Sequence, residues 1–311
     1  MRTFAFLLPL LIAAHVHGAD LRAPLAAADA ALAANDYPVA YQAYARHATT
    51  NPLAQFNLGL FEQQGWGRAA DPVAACAWFD QAAHGHVPAA QQFLGDCLAS
   101  GTGRAVDGAA ALQWYAKAAA SGIAYASCSA GALFLKGTVV PRDAARGLAL
   151  CTAAAQQESV PAMMLLADYY QSGANAPLAR FWYEQAAQRH HAAAQARLGT
   201  MLAEGDGGPA DLAQARFWLE QAATAGHAPA YLATAILYAN APLNPATGAL
   251  APNDLARVYM WNRAAKASTS NPEQLAEISR IDALVLAVMP AQWQAELDRR
   301  VAGHLASIHS H

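Results

Sequence analysis

Four cysteines are the residues whose chemistry is most easily judged from the sequence: Cys76, Cys97, Cys128 and Cys151. No two of them have C-x-x-C spacing, which argues against a thioredoxin-like redox site and against a zinc ribbon. An even number of cysteines is typical of disulfide-bonded proteins from oxidising compartments. The sequence therefore favours structural disulfides, and the pairing depends on the elements that hold the cysteines.

Histidines recur at one position of a repeating pattern, and a regular array of imidazoles could bind metal ions. The recurring residues are His86, His191 and His227, with His84 and His190 close to them in sequence. Packed helices lie about 8–10 Å apart, whereas a histidine nitrogen that binds zinc lies about 2 Å from the ion. Successive repeats would hold these rings too far apart to share one ion, so we expect no metal site.

Motifs of the common enzyme classes are missing from the sequence. We find no G-x-S-x-G, S-x-x-K, H-E-x-x-H or P-loop sequence, and no G-x-G-x-x-G between a predicted strand and a helix. The net charge of −3 comes without a basic patch, which argues against nucleic acid as a partner. We therefore expect no catalytic residue, no cofactor, no nucleic-acid binding and no membrane insertion.

The first residues of the chain have the layout of a cleaved export signal. Within residues 1–19, Arg2 is followed by an apolar run and then by the small residues Gly18 and Ala19. The apolar run is too short to span a bilayer comfortably, and no cysteine near the cleavage region supports a lipid anchor. A buried N-terminal helix is the alternative. We expect a mature protein that is periplasmic or secreted.

The elements that must position these residues follow from an internal repeat. The phrase Ala179–Ala187 returns almost unchanged as Ala215–Ala223, 36 residues later. One recurring column holds small residues, among them Gly59, Gly95, Gly131 and Gly199. A second column is an aromatic slot occupied by Trp78, Trp114, Trp182 and Trp218. Such periodicity is the signature of a repeat protein.

Each repeat is predicted to form two antiparallel helices, which we call helix A and helix B. In helix A, small residues and larger side chains share one face at a period of 3.6 residues. A glycine supplies a left-handed stop at the end of helix A, and short polar turns make neighbouring helices antiparallel. In helix B we expect the aromatic slot to be the large buried side chain. Six repeats are predicted at residues 53–268, with capping helices at residues 20–52 and 269–311.

The two columns resemble the unit of the Sel-one-like repeat (SLR) family, a relative of the tetratricopeptide repeats. That unit reads A-x-x-x-L-G-x-x-Y-x-x-G, a loop, then A-x-x-W-[YF]-x-[KQ]-A-A-x-x-G. Ala90–Gly101 with Trp114–Gly122 matches it, whereas the third repeat has Leu150-Cys151 in place of the aromatic pair. The resemblance implies an all-α fold, a right-handed α-solenoid of about six helix-turn-helix repeats of ~36 residues with helical caps.

The helical repeats suggest how the cysteines pair. Cys76 and Cys97 lie on either side of the turn at Val87, between two antiparallel helices, and Cys128 and Cys151 lie likewise on either side of the loop at Val139–Pro141. Cys97 and Cys128 are in neighbouring A helices but offset by five positions, about 7.5 Å along the axis. That offset is larger than a disulfide tolerates. We favour Cys76–Cys97 and Cys128–Cys151, while two or more free, buried thiols remain the alternative.

The A helices of such arrays line the concave surface, which makes their outward face the candidate binding site. Polar and apolar side chains alternate on this face, as in a groove that binds a peptide or a protein. The candidate partner-binding residues are Phe56, Gln92, Asp96, Met164, Asp168, Tyr169, Gln171 and Thr200. Ordinary solvated surface is the alternative interpretation.

The resemblance implies an exported, non-enzymatic scaffold or adaptor that binds another protein or peptide, in envelope complex assembly or in signalling. We expect a monomer. A second hypothesis is a cell-wall protein that binds or hydrolyses muropeptides or β-lactams, because some cysteine-rich members of the family have been associated with those ligands. Those members carry cysteines in nearly every repeat, whereas this chain has four. A third hypothesis is a homo-oligomer that associates through the amphipathic last helix.

Overall fold

The computed structural model describes residues 21–309 of the 311-residue chain. In this part all regular secondary structure is helical, with sixteen α-helices after a short 3-10 turn at Ala23–Leu25. The predicted all-α fold of repeated helix-turn-helix units is confirmed. The predicted signal segment, residues 1–19, lies outside the described residues. Between residues 21 and 309, no helix is both long enough and apolar enough to cross a membrane.

The chain divides after Ala162 into two compact parts, which we call the N-terminal unit and the C-terminal unit. The N-terminal unit contains α1 (Ala26–Ala33), α2 (Tyr37–His47), α3 (Pro52–Gln64), α4 (Pro72–His84), α5 (Pro88–Ser100), α6 (Gly108–Ala120), α7 (Ala124–Lys136) and α8 (Ala144–Gln156). The C-terminal unit contains most of α9 (Val160–Ser172), then α10 (Ala176–Gln188), α11 (Ala192–Glu204), α12 (Leu212–Thr224), α13 (Ala228–Ala239), α14 (Pro252–Ser268), α15 (Pro272–Val288) and α16 (Ala291–His309).

Local sequence signals set the ends of the helices. Each B helix of the N-terminal unit begins after an aspartate whose carboxylate accepts hydrogen bonds from first-turn amides, namely Asp71, Asp107 and Asp143. The A helices α3, α5 and α7 end at glycines in the left-handed conformation, Gly65, Gly101 and Gly137, with φ of 68°, 73° and 67°. The glycine stop that the sequence predicts is therefore confirmed in these three repeats.

The fourth repeat ends its A helix differently. Residues 173–175 join α9 to α10, whereas residues 205–211 join α11 to α12. In the shorter connection Ala174 takes the left-handed conformation, with φ of 54°, and Gly173 does not. The prediction that the glycine itself supplies the left-handed stop is wrong for this repeat. The connection has only three residues, and its left-handed residue is Ala174, one position after the glycine.

The predicted packing of the aromatic slot is also corrected. The side chain that packs on the helix-A glycine is the one after the slot: Phe79 on Gly59, Tyr115 on Gly95 and Leu219 on Gly199. A Cβ atom on these glycines would lie 2.5–2.6 Å from those side chains, so only glycine allows the approach. The slot residues Trp78, Trp114, Trp182 and Trp218 are only partly buried. Successive helix positions differ by about 100°, which places the slot at the edge of the A–B contact.

The slot tryptophans of the N-terminal unit contact earlier helices instead. Trp78 packs against the buried cluster of α2 and α3 that includes Tyr44 and Phe61. Trp114 packs against the cluster of α4 and α5 that includes Ala82 and Leu94. The slot therefore joins successive repeats, and the residue after it joins the two helices of one repeat.

Helices α15 and α16 at the end of the C-terminal unit form a continuous core with α13 and α14. Tyr231, Val258 and Tyr259 of α13 and α14 are buried together with Ile278 and Ile281 of α15. The amphipathic stripe of α16 belongs to the same core, through Trp293, Leu297, Val301, Leu305 and Ile308. The apolar face of the last helix is thus occupied by its own chain.

Candidate functional site

Two disulfides connect the cysteines as the sequence favours. Cys76 is bonded to Cys97, which links α4 to α5 across a Cα–Cα distance of 5.9 Å. Cys128 is bonded to Cys151, which links α7 to α8 across 4.0 Å. The described residues therefore contain no free cysteine, and the alternative with free thiols is wrong. Two disulfides are compatible with an oxidising compartment outside the cytoplasm.

The second disulfide lies where two helices approach each other through glycines. A Cβ atom on Gly131 of α7 would lie 2.6 Å from the carbonyl oxygen of Gly147 of α8. The same atom would lie 3.0 Å from the sulfur of Cys151. Absence of side chains at both positions thus brings the backbones together and explains the short Cα–Cα distance across this disulfide.

On the A-helix face of the N-terminal unit, predicted binding residues meet in one hydrogen-bonded network. The side-chain amide nitrogen Nε2 of Gln92 lies 2.9 Å from Oγ of Ser129 and 3.1 Å from Oδ1 of Asp96. The hydroxyl of Tyr115 donates to the same Oδ1 of Asp96 at 2.7 Å. Gln92 and Ser129 are buried. The network ties α5, α6 and α7 together and holds the Asp96 carboxylate in one orientation.

The carboxylate of Asp96 is partly desolvated although its residue is exposed. Packed helices surround it, and this desolvation raises the pKa of Asp96 despite the hydrogen bonds from Tyr115 and Gln92 that act in the opposite direction. Burial, followed by the charge of Asp96, likewise raises the pKa values of Tyr115 and Tyr125. No arginine, lysine or histidine of the described chain forms a salt bridge with Asp96. A single uncompensated negative charge therefore lies on this face.

Aromatic rings adjoin the carboxylate. Phe79 and Phe93 are stacked with their ring centroids 4.6 Å apart, and Phe56 lies 5.9 Å from each of them. Phe56 and Phe93 remain partly accessible, whereas Phe79 is buried. An open pocket of about 200 Å³ lies between α4 and α5, and both Phe93 and Asp96 line it. An apolar surface and a charge thus share one opening.

The C-terminal unit contains a second carboxylate–tyrosine pair. The hydroxyl of Tyr183 donates to Oδ1 of Asp168, and it lies 2.8 Å from Oε1 of Gln171. Burial is the largest cause that raises the pKa of Tyr183, and the charge of nearby Arg197 acts in the opposite direction. Asp168 and Gln171 are exposed residues. The pair fastens α9 to α10 and holds the carboxylate of Asp168 at the surface.

The other predicted binding residues of this unit are placed separately. Tyr169 packs edge-on against Tyr170, with ring centroids 5.5 Å apart. The hydroxyl of Thr200 donates to the carbonyl of Ala196 on its own helix, and Met164 is partly buried. These residues are not joined to the hydrogen bonds of Asp168, so the structure supports one pair here rather than a larger site.

Sequence reasoning missed the partners of the two aspartates. Tyr115 and Tyr183 each follow the aromatic slot, and they form the hydrogen bonds to Asp96 and Asp168. The aromatic residue after tryptophan in the repeat pattern was a signal for a large side chain at this position. It could not show that the hydroxyl reaches a carboxylate, because that contact depends on the spacing between the paired helices.

The histidines serve as residues of turns and helix ends. His191 is the N-cap of α11, where its Nδ1 lies 3.3 Å from the amide nitrogen of Ala194. His227 is the N-cap of α13, and His86 lies in a turn with φ of 62°. Burial lowers the pKa of both His191 and His227. Among residues 21–309, no group of three or more histidine, cysteine, aspartate or glutamate side chains is arranged to hold a metal ion.

These features define a helical repeat protein whose A helices present polar and aromatic side chains. The sequence model described as Sel1 repeat matches residues 52–85, 88–123, 124–159, 160–191 and 192–227, which is more than half of the chain. The chain therefore belongs to the Sel1 repeat family, and the resemblance seen in the sequence is confirmed. The match covers five of the six predicted repeats and leaves out α13 and α14.

Solved structures support the same fold. A protective antigen present in uropathogenic Escherichia coli strains, which displays an SLR fold, is 24% identical with a TM-score of 0.60. The alignment covers 87% of this chain and 56% of the antigen, so this chain matches little more than half of its length. A Sel1 repeat protein from Oxalobacter formigenes is 26% identical with a TM-score of 0.59, over 80% of this chain and 100% of that protein. No curated protein matches the sequence.

Proposed function

We propose that this protein is an exported, non-enzymatic adaptor that binds another protein or a peptide on the face of its A helices. Sel1 repeats belong to the helical arrays whose stacked units typically form extended protein-binding surfaces. A role in assembling an envelope complex or in signalling there follows from the combination of such a surface with export. In this proposal the partner is a separate molecule, and the repeats bind it and hold it in place.

One observation carries the proposal: Asp96, Phe56 and Phe93 lie together on the A helices of the N-terminal unit. The aspartate is held by hydrogen bonds from Gln92 and Tyr115, so its side chain is ordered before a partner arrives. Ordered polar groups beside accessible aromatic rings are typical of binding hot spots, because little conformational entropy is lost on association.

Export is supported by two separate features. The Cys76–Cys97 and Cys128–Cys151 disulfides suit an oxidising compartment. The layout of residues 1–19 suits a signal that is removed on export. Mass spectrometry of the mature protein would test this part, since an N-terminus near residue 20 in an extracytoplasmic fraction is expected. A chain retained in the cytoplasm with its first residues intact would contradict export.

Site-specific photo-crosslinking in the native host tests the binding face. A photoreactive residue would replace Gln63, which is exposed on α3 and lines the pocket, or Gln81, which is exposed on α4. Both changes replace an exposed glutamine of the N-terminal unit, so each variant is the matched control for the other. We expect a discrete crosslinked species from position 63 and none from position 81. Equal crosslinking at both positions, or none at position 63, would contradict the proposed face.

A further inference from the structure

The pocket beside the Cys76–Cys97 disulfide combines an apolar wall with one charge. Its volume is about 200 Å³, and its apolar wall consists of Pro72, Ala75, Phe79, Phe93 and the disulfide. The polar lining residues include Gln63, Ser100 and Thr102. Asp96 is the one charged side chain among the residues of the described chain that line it. The pocket is thus negatively charged at one point and otherwise apolar or neutral.

Three other carboxylates in partly buried surroundings have cationic partners within the chain. Glu62 is 2.6 Å from Arg68, Asp80 is 2.9 Å from Arg104, and Glu220 is 2.8 Å from Arg257. Asp96 accepts hydrogen bonds from the neutral groups of Gln92 and Tyr115. A desolvated carboxylate gains more from a cationic partner than an exposed one, because the surrounding medium screens the attraction less.

We infer that this pocket binds the side chain of a lysine or an arginine that projects from the docked partner. The inference rests on the proposed binding function and specifies which chemistry the A-helix face recognises. The methylene stem of such a side chain can lie along Phe93 and Pro72, which are accessible residues of the pocket lining, while its cationic group reaches the carboxylate of Asp96. The ring of Phe93 adds a face on which a cation is also favoured.

The size of the pocket matches one side chain rather than an independent ligand. Pockets for small-molecule ligands usually enclose about 300–1,000 Å³, which is more than this opening offers. An anionic side chain would be repelled by Asp96. A neutral apolar side chain would cover the wall but would desolvate the carboxylate further without pairing it, which is unfavourable. A basic side chain is the one class that can both cover the apolar wall of the pocket and pair with the carboxylate of Asp96.

Selection from a random peptide library displayed on phage tests the inference. The bait is the full mature chain with both disulfides formed, used as wild type, as Asp96→Asn and as Glu204→Gln. The last variant removes an exposed carboxylate from the C-terminal unit and is the charge control. We expect peptides selected by the wild type and by Glu204→Gln to be enriched in lysine or arginine at one position. Peptides selected by Asp96→Asn should lack that enrichment.

A second measurement uses one selected peptide and compares two forms of that peptide on the same protein. Replacing its basic residue by norleucine keeps the aliphatic stem and removes the charge. We expect at least a tenfold weaker Kd for wild type and less than a twofold change for Asp96→Asn, measured by calorimetry. Losses of equal size in both proteins would overturn the assignment of the cation to Asp96.

The outcomes separate this inference from the proposed function. Peptides that bind the wild type without any preference for a basic residue would overturn the basic-side-chain pocket while leaving peptide docking intact. A selection that enriches no peptide on any of the three baits would overturn both peptide docking and the pocket that depends on it. Circular dichroism of each bait before selection confirms that the helices are formed in all three.

Discussion

The ring of Tyr115 lies directly on the backbone of Gly95. A Cβ atom on this glycine would be 2.5 Å from Cε1 of the ring, a distance that side chains do not tolerate. The hydroxyl at the other end of the same ring donates to Asp96, one residue after the glycine. One contact between α5 and α6 thus sets both the packing of a repeat and the position of its surface carboxylate.

Replacing Gly95 by alanine should therefore destabilise the protein. We expect a loss of about 1–3 kcal/mol in the free energy of unfolding, as for other overpacked contacts, because the Tyr115 ring must move. Gly303→Ala is the matched control, since Gly303 lies within α16 and nothing is within 4 Å of a Cβ atom built there. That change should stabilise by about 0.5–1 kcal/mol. Denaturant unfolding of both variants measures the difference, and the same sign for both would contradict the packing.

Phenylalanine-to-alanine substitutions at Phe79 and Phe217 should differ strongly in cost. Phe79 is 1% exposed and fills the contact with Gly59, so its removal should cost about 3–5 kcal/mol. Phe217 is 50% exposed on α12, and its removal should cost about 1 kcal/mol. Thermal melting curves compare the two variants. Similar losses at both positions would mean that the residue after the tryptophan slot is not more deeply buried than the residue before it.

Both disulfides should contribute measurably to stability. They close segments with sequence separations of 21 and 23 residues, for which a chain-entropy estimate gives about 3 kcal/mol each. The double variant Cys76→Ala with Cys97→Ala should unfold at lower denaturant concentration, and reductant should lower the midpoint of wild type. Intact mass without reduction should be about 4 Da below that of the reduced chain, since each bond removes two hydrogens. Four thiols that react with an alkylating agent in freshly exported, folded protein would refute the disulfides.

The raised pKa of Asp96 predicts a defined dependence of stability on pH. The folded protein holds the Asp96 proton more tightly than the unfolded chain, so this carboxyl group favours folding at low pH. That contribution is lost as pH rises from the ordinary carboxyl range through the raised pKa. Asp96→Asn cannot ionise, so its stability relative to wild type should increase over the same pH range and then level off.

Thermal unfolding of wild type and Asp96→Asn between about pH 4 and pH 8 tests this dependence. Glu204→Gln serves as the control, because Glu204 is an exposed carboxylate at the end of α11. The stability difference between wild type and Asp96→Asn should change more across this range than the difference between wild type and the control. A constant difference for Asp96→Asn would show that its carboxylate is not desolvated in solution.

The sequence by itself determined the repeated helix pairs and the glycine stops at Gly65, Gly101 and Gly137, and it favoured the pairing of the cysteines without excluding free thiols. These features depend on local periodicity and on the small offsets between adjacent antiparallel helices, which sequence spacing encodes directly. The family resemblance rested on the same two columns. The spacing between residues along the sequence is enough to recognise both columns.

Tertiary structure alone decided which side chains meet between helices. Spacing could not show that Phe79, rather than Trp78, packs on a glycine, because the two are adjacent and differ only in their angle around the helix. It also could not show that Tyr115 and Gln92 hold Asp96, since those hydrogen bonds depend on the distance between packed helices. The pocket beside the Cys76–Cys97 disulfide has the same origin, because its walls come from α3, α4 and α5 and from Thr102 just after α5, and only the packing of these helices creates it.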